Sequence, residues 1–431
     1  MKKILYLFCA LLSVTFYACS DKNEENVYQT TKLTVELVYP EGVIPTEGVI
    51  VKVRNTVNNT SFDALTNGEG KASFVVPSGV YEASATDSKW DAGNLIVYNG
   101  LNSQVVVSGQ AAQVQLQLTG SRTGSVVIKE IYAGGCPKDD GSGVFINDQS
   151  LVLYNNSSVN VDLNDFALGI VSPYNSQASN TYYTPDGKLS YASEGWIPAV
   201  SGVWYFNTPV TLEPGKQIVI AITGAIDNTQ TYSQSVNYAN ADYYCCYDIE
   251  DYNNERYYPT PAEVIPTSHY LSAYKFGQGN AWIFSTTSPA VFIFRPEGQK
   301  LEDFINNAET TDSKSNKKIP VEWIVDGVEV FAKGNSSNKK RITEDIDAGY
   351  VEMTPKMGYT LYRNVDKEAS ESLEENKGKL VYNYAGGADS TTDPSGIDAE
   401  ASLKNGARII YKDTNNSSND FHQRAKSSLR N

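Results

Sequence analysis

Residues 125–135 read Ser-Val-Val-Ile-Lys-Glu-Ile-Tyr-Ala-Gly-Gly, and residues 149–170, after a loop, read Gln-Ser-Leu-Val-Leu-Tyr-Asn-Asn-Ser-Ser-Val-Asn-Val-Asp-Leu-Asn-Asp-Phe-Ala-Leu-Gly-Ile. The first run is rich in β-branched and aromatic residues, the composition of a strand in the middle of a sheet. In the second, Leu151-Val152-Leu153-Tyr154 leads through Asn155-Asn156-Ser157-Ser158 into Val159-Asn160-Val161-Asp162-Leu163. Asn and Ser bond locally to backbone and suit a tight reversal, so the stretch predicts a buried strand followed by a β-hairpin.

The same pattern holds outward along the chain. Apolar residues alternate or come in short runs between Gly, Pro, Asn and Asp, and convincing amphipathic helices are absent, which predicts an all-β protein. Residues 31–120 form a first unit, beginning with the alternating Leu33-Thr34-Val35-Glu36-Leu37-Val38 and Val49-Ile50-Val51-Lys52-Val53. Its Thr66, Asn67, Gly70, Phe74, Pro77, Gly79 and Tyr81 resemble the signature of the transthyretin-like, carboxypeptidase-regulatory-like sandwich, with Asn67 where an acid is usual. Such domains serve chiefly as stalks and spacers, so the resemblance implies fold more than function.

Gly120-Ser121-Arg122-Thr123-Gly124 is a polar, Gly-containing joint, and residues 124–431 form the second unit. Its strand, Leu153-Tyr154-Asn155 hairpin, Val161-Asp162-Leu163 and Leu212-Glu213-Pro214-Gly215 resemble the lamin-tail domain, an immunoglobulin-like β-sandwich. Val152 or Leu153 stands where that family carries an acid, so any role tied to the carboxylate does not transfer.

Four smaller features of this unit carry expectations. Residues 301–307 predict a short helix, and Asp326-Gly327 predicts a hairpin turn between two strands. The polar residues 367–401 predict a mobile loop, and residues 407–411 a closing strand.

Met1-Lys2-Lys3 and the apolar run 4–18 have the form of a secretory leader, too short for a permanent transmembrane helix. Thr15-Phe16-Tyr17-Ala18-Cys19 resembles a bacterial lipobox, which would leave lipid on Cys19 and remove residues 1–18. Residues 19–30 then form a polar tether, and Ser20-Asp21-Lys22-Asn23-Glu24-Glu25 resembles the signal that sends Bacteroidetes lipoproteins to the outer face of the outer membrane. The lipid, palmitate included, is the expected membrane anchor.

The whole chain has 35 basic and 50 acidic residues. Removing Lys2 and Lys3 with the leader leaves 33 against 50, a formal charge of −17. That balance argues against nucleic acid, whose phosphates are held by Lys and Arg. Beyond Cys9 and Cys19 remain Cys136, Cys245 and Cys246. In an oxidising compartment these predict one disulfide and one spare thiol, Cys136 with either neighbour, or a strained Cys245–Cys246 bridge.

Only His269 and His422 are present, in unrelated contexts, and no G-x-S-x-G, H-E-x-x-H or phosphate loop occurs. We therefore expect no catalytic residues and no enzyme. Asp413, Asn415, Asn416, Asn419 and Asp420 are spaced either as a calcium loop or as Asx turns capping a bend. Calcium is the one cofactor to consider.

Two insertions remain, at 174–204 and 232–258. The second holds Tyr232, Tyr238, Tyr243, Tyr244, Tyr247, Tyr252, Tyr257 and Tyr258. Tyrosine offers a large, rigid, amphipathic contact at small entropic cost, which makes this the candidate binding loop; the alternative is packing over a sandwich edge.

Lipobox, two sandwiches and the ending Lys412-Asp413-Thr414-Asn415-Asn416-Ser417-Ser418-Asn419-Asp420-Phe421 together resemble the Bacteroidetes lipoprotein family of unknown function numbered four eight seven six. The resemblance brings no established activity, but implies a companion of TonB-dependent outer-membrane β-barrel receptors; with the tyrosine loop and no catalytic motif, the expectation is an outer-membrane surface lipoprotein that binds without catalysis in nutrient capture. The alternative is a structural or adhesive surface protein without a small-molecule ligand.

Overall fold

The computed structural model describes residues 30–91, 94–122 and 124–430. The leader, Cys19 and the tether up to Gln29 lie outside them.

The first sandwich contains β1 (Thr30–Val38), β2 (Ile50–Asn55), β3 (Ser61–Leu65), β4 (Lys71–Pro77), β5 (Gly79–Asp91), β6 (Asn94–Val107), β7 (Ala112–Gln117) and β8 (Thr119–Arg122). Sheet β4-β1-β7 faces sheet β3-β2-β5-β6-β8. Alternation decides which side chains meet: Leu33, Val35 and Leu37 of β1 enter the same core as Val51, Val53, Phe74, Val76 and Tyr81. Because β8 pairs with β6, this sandwich extends past the expected end at residue 120.

The signature residues build its turns. Asn67 does the work of the usual acid, its side-chain oxygen accepting from the N–H groups of Glu69 and Lys71. Thr66 is buried, donating to the Thr46 carbonyl and accepting from Val49 N–H. Gly70 has φ +77° and faces Pro45, and the Tyr81 hydroxyl donates to the Pro77 carbonyl at 2.8 Å.

The second sandwich begins with β9 (Val126–Tyr132), β10 (Cys136–Pro137), β11 (Val144–Phe145), β12 (Ser150–Asn155), β13 (Val161–Asp162) and β14 (Ala167–Ile170). It continues through β15 (Trp196–Ala199), β16 (Gly202–Tyr205), β17 (Thr211–Leu212), β18 (Gln217–Ala221), β19 (Tyr244–Cys246) and β20 (Tyr270–Lys275). The last strands are β21 (Ala290–Phe294), β22 (Lys317–Pro320), β23 (Ile324–Ala332), β24 (Val351–Met353), β25 (Thr360–Arg363) and β26 (Phe421–Arg424). Short helices α1 (Leu301–Asn306), α2 (Lys367–Ser372), α3 (Ala399–Lys404) and α4 (Ser417–Asp420) lie between them.

One 12-stranded sheet, ordered β24-β23-β21-β14-β16-β20-β19-β18-β12-β9-β25-β26, dominates this unit. It folds over on itself, so that Thr354 N–H after β24 donates to the Gln423 side chain on β26. Each of its strands sends an apolar side chain into one interior, among them Ile128, Leu151, Leu168, Trp204, Ile220, Cys246, Leu271, Ile293, Val330, Met353, Leu361 and Phe421.

The outer face of the sheet is covered too, by the insertions and by later loops and short helices. Tyr182, Tyr191, Ile197 and α1 pack on Ala167, Val203, Phe292 and Phe294. Val236, Tyr238 and Ile265 pack on Tyr132, Ala221 and Cys245. Ile397, Ala399, Ile409 and Tyr411 pack on Val127, Tyr154 and Tyr362. Burial on both faces explains why β9 and β12 read as unbroken apolar runs. In β9 the ladder slips opposite Val152/Leu153, leaving Lys129 as the extra residue of a bulge, so Ile128 and Ile131 both point inward.

Three local expectations change. Asp326-Gly327 is no turn but the middle of β23, running on to Ala332. Asp326 is taken by Arg363 and Ile128 N–H, and a side chain at Gly327 would meet Ile346 at 2.7 Å. Residues 367–401 are structured by α2 and α3, capped by Asp366 and Asp398, and by packing of Ile397 and Ala399. Residues 407–411 give one bridge, Val365 with Tyr411, and the closing strand is β26 instead.

Candidate functional site

The eight candidate tyrosines divide by burial. Tyr238, Tyr252 and Tyr258 are core: Tyr252 and Tyr258 enter the central interior, and Tyr238 packs over β9 and β18. Their hydroxyls stay satisfied by donating to carbonyls, Tyr252 to Ser201 at 2.9 Å and Tyr238 to Asp148 at 2.5 Å, with Tyr258 donating to Trp282. These three are therefore corrected from binding residues to packing residues. Tyr232 packs on Phe145, and Tyr257, beside Arg256, packs on the central interior; both are half-buried.

Tyr243, Tyr244 and Tyr247 are half-buried beside β20, where they meet two residues not assigned from the sequence. The Tyr244 and His269 rings stack at 4.0 Å and 13°, and Tyr247 meets Tyr270 edge-on at 5.4 Å. His269 Nδ1 lies 3.2 Å from the Tyr243 carbonyl oxygen. Parallel pairing of β19 with β20, Cys245 opposite Tyr270, makes of them a platform of two separate ring pairs, Tyr244 with His269 against the central interior and Tyr247 with Tyr270 against the outer cluster. Separate segments build it, so no local motif announces it.

The three cysteines are free thiols, and all are buried. Neighbours on a strand point to opposite faces: Cys246 enters the interior and Cys245 the outer cluster, which rules against the vicinal bridge. Cys136 turns to Asp148, 3.8 Å away. Burial pushes the Cys136 and Cys245 thiols up to about 12, so neither is a nucleophile at neutral pH.

The calcium candidates have other partners. Arg363 lies between Asp326, Asp413 at 3.3 Å and Asp420 at 3.7 Å, with all four side chains at most 6 % exposed. Asp420 also accepts from Thr414 N–H and Oγ1, and Asn416 caps α4 through Ser418 N–H. Asn419 donates to Thr86 of the first sandwich, and the Asn415 carbonyl accepts from Asn99. The loop is thus an arginine cradle and an interdomain contact. Among the described residues no group of three or more His, Cys, Asp or Glu is placed to hold a metal ion.

Burial pushes the Asp420 carboxyl from 3.8 up to about 7 against the pull of Arg363, and pushes Asp326 and Asp413 upward for the same reason. Between about pH 4 and 7 the folded chain then binds more protons at Asp420 than the unfolded chain, so this group lowers stability as pH rises. His422 has the opposite sign. Burial and Arg424 hold it down to about 3, so its contribution is lost as pH falls below about 6.5. Comparing urea unfolding of Asp420→Asn with the parent isolates the acid. The variant should gain stability relative to the parent from pH 4 to 7 and level off above; a flat difference would contradict the assignment.

A cleft of about 1120 Å³ opens where the two sandwiches meet. Glu82 and Leu101 of the first sandwich form one side, and Tyr183, Thr343, Glu344 and Tyr350 contribute to the other. Arg54 joins the sides by donating to Glu82 and to the Tyr350 hydroxyl, while Tyr350 stacks on Phe331 at 4.2 Å. No helix among the described residues is long and apolar enough to cross a membrane.

Comparison with known proteins points the same way as the sandwich topology. A crystal structure of a DUF4876 family protein from Bacteroides thetaiotaomicron is 21% identical, covering 91% of this chain and 94% of that one, with a TM-score of 0.51. That likeness is one of fold. A DUF3823 family protein from Parabacteroides merdae is 10% identical over 34% of this chain and 67% of that one, with a TM-score of 0.16. No curated protein matches. The family described as "Protein of unknown function (DUF4876)" matches residues 213–428, which takes in the platform, the arginine cradle and most of the rolled sheet. This chain belongs to that family.

Proposed function

We propose that this chain is a non-catalytic binding protein, held by lipid on Cys19 at the outer membrane and facing the cell exterior. It accompanies a TonB-dependent β-barrel receptor in nutrient capture, with the first sandwich as the stalk. The supporting observation is the two half-buried ring pairs, Tyr244 with His269 and Tyr247 with Tyr270, placed near each other by the pairing of β19 with β20. Rigid aromatic faces that are already ordered lose little entropy on binding. The His269 ring, stacked on Tyr244, serves this surface as a flat face.

The test is purification of the intact lipoprotein from solubilised outer membrane. A β-barrel receptor should co-purify and should be lost in Tyr244→Ala/Tyr247→Ala, while the variant still folds. A protein recovered alone that adheres to host or glycan surfaces would replace this reading with the adhesive one.

A further inference from the structure

Alternation along β20 puts Tyr270, Ser272 and Tyr274 on the outer face of the sheet, while Leu271 and Ala273 enter the central interior. Antiparallel pairing sets Tyr205 of β16 opposite Ser272. Asn207, two residues on, reaches the same face and donates to Ser272 Oγ through Nδ2 at 2.5 Å. The covers of the outer face stop on either side of this row. Tyr205 and Tyr274 are the partly buried margin of the cluster over Val203, and Tyr247 and Tyr270 that of the cluster over Cys245. In the seam between them Ser272 is half-buried and Asn207 exposed.

The row therefore has two aromatic stations with a polar one between them. At one end Tyr205 and Tyr274 stack at 4.7 Å and 10°, and at the other Tyr247 meets Tyr270 edge-on at 5.4 Å. Tyr270 and Tyr274, four residues apart on one strand, are separated by about 13 Å. The bond from Asn207 leaves the Ser272 hydroxyl hydrogen free to donate and Asn207 Oδ1 free to accept, since neither side chain has another protein partner among the described residues. None of these six side chains is charged, so the row offers no counter-ion to a cationic or an anionic ligand. The carboxylates that act on Tyr274, Glu302 and Asp165, would repel an acidic one. Because β20 lies between β16 and β19, no open edge is available here for an added peptide strand.

We propose that this row binds a neutral oligosaccharide laid along β20. A pyranose ring carries a C–H face that packs on an aromatic ring, and hydroxyls at its rim that both donate and accept. One sugar sits at Tyr205 and Tyr274, another at Tyr247 and Tyr270, and the length between them bonds to Asn207 Oδ1 and the Ser272 hydroxyl. Rings already stacked, and an amide and a hydroxyl already oriented by each other, lose little entropy when the ligand arrives. The inference rests on the reading of this chain as a non-catalytic binding protein and names its ligand class. Sugar binding and receptor co-purification are separate measurements, so either can fail alone.

Calorimetric titration of the full chain, in a detergent without a sugar headgroup, tests it with cellohexaose, maltohexaose and mannohexaose, and with glucose, mannose and hyaluronan beside them. At least one hexasaccharide should bind, with little dependence on salt. Its monosaccharide, which reaches only one station, should bind at least about tenfold more weakly. Tyr274→Ala should weaken the hexasaccharide by at least about tenfold. Asn207→Ala/Ser272→Ala, which changes only the seam, should weaken it by at least about fivefold and melt like the parent, so the test survives if Tyr274→Ala fails to fold. No binding by any of the three hexasaccharides, binding of hyaluronan alone, a monosaccharide as tight as its hexasaccharide, or undiminished binding by Asn207→Ala/Ser272→Ala would overturn the proposal.

Discussion

Replacing Arg363 by Met is expected to cost about 3–5 kcal/mol of stability, enough to unfold a large fraction of the chain under mild denaturant. The guanidinium is 1 % exposed and is the counter-charge shared by Asp326, Asp413 and Asp420. It also donates through Nε to the Ile128 carbonyl and through Nη1 to the Lys412 carbonyl, tying β25 to β9 and to the final loop. Methionine fills similar volume, so the loss would come from stranded carboxylates and not from a void. The raised carboxyls predict a pH signature: at low pH these acids are protonated and the Arg363→Met defect should shrink. Denaturant titrations at pH 5 and pH 8 give the answer, and a defect equal at both would show that packing matters more than charge.

Glu329→Ala is expected to cost a similar amount, about 3–5 kcal/mol, because it strands Arg341. Both side chains of that pair are 0 % exposed. Glu329 Oε1 accepts from Arg341 Nε at 2.9 Å and Nη2 at 2.6 Å, while Oε2 takes the backbone of the turn that carries Glu344 and Asp345. Removing the charges together, as Glu329→Leu with Arg341→Met, should recover part of the loss, since no buried ion is left alone. Chemical unfolding of the two singles and the double completes the cycle. A double variant as unstable as the sum of the singles would show that the pair acts as two independent residues.

What the sequence revealed follows the range over which each signal acts. Alternation along β1, and the unbroken apolar runs of β9 and β12, were legible because burial on one face or on two leaves a local imprint. The turn chemistry of Thr66, Asn67 and Gly70 was equally local. Asp326-Gly327 misled because the dipeptide favours a turn, while its partners Arg363 and Ile346 are distant in sequence. Tyr238, Tyr252 and Tyr258 could not be told from Tyr244 and Tyr247 for the same reason, as their fate depends on Trp282, Ser201 and Asp148. The opposite faces of Cys245 and Cys246 were within reach of the alternation rule, had the residues been placed on a strand. The cleft was not, since Glu82, Tyr183 and Glu344 come from three separate parts of the chain.

The cradle around Arg363 has a consequence for the order of events. The side chain of Asn419 donates to Thr86, Thr86 to Asn99, and Asn99 to the Thr414 and Asn415 carbonyls. Asp413 accepts the N–H of Gly124 at the joint between the sandwiches. The seat of the first sandwich is thus cut from residues 413–419, more than three hundred positions after the Thr86 and Asn99 that they hold. Until residues 413–419 are in place, the first sandwich has nothing to lock against, and the cleft, whose walls belong to both domains, does not yet exist.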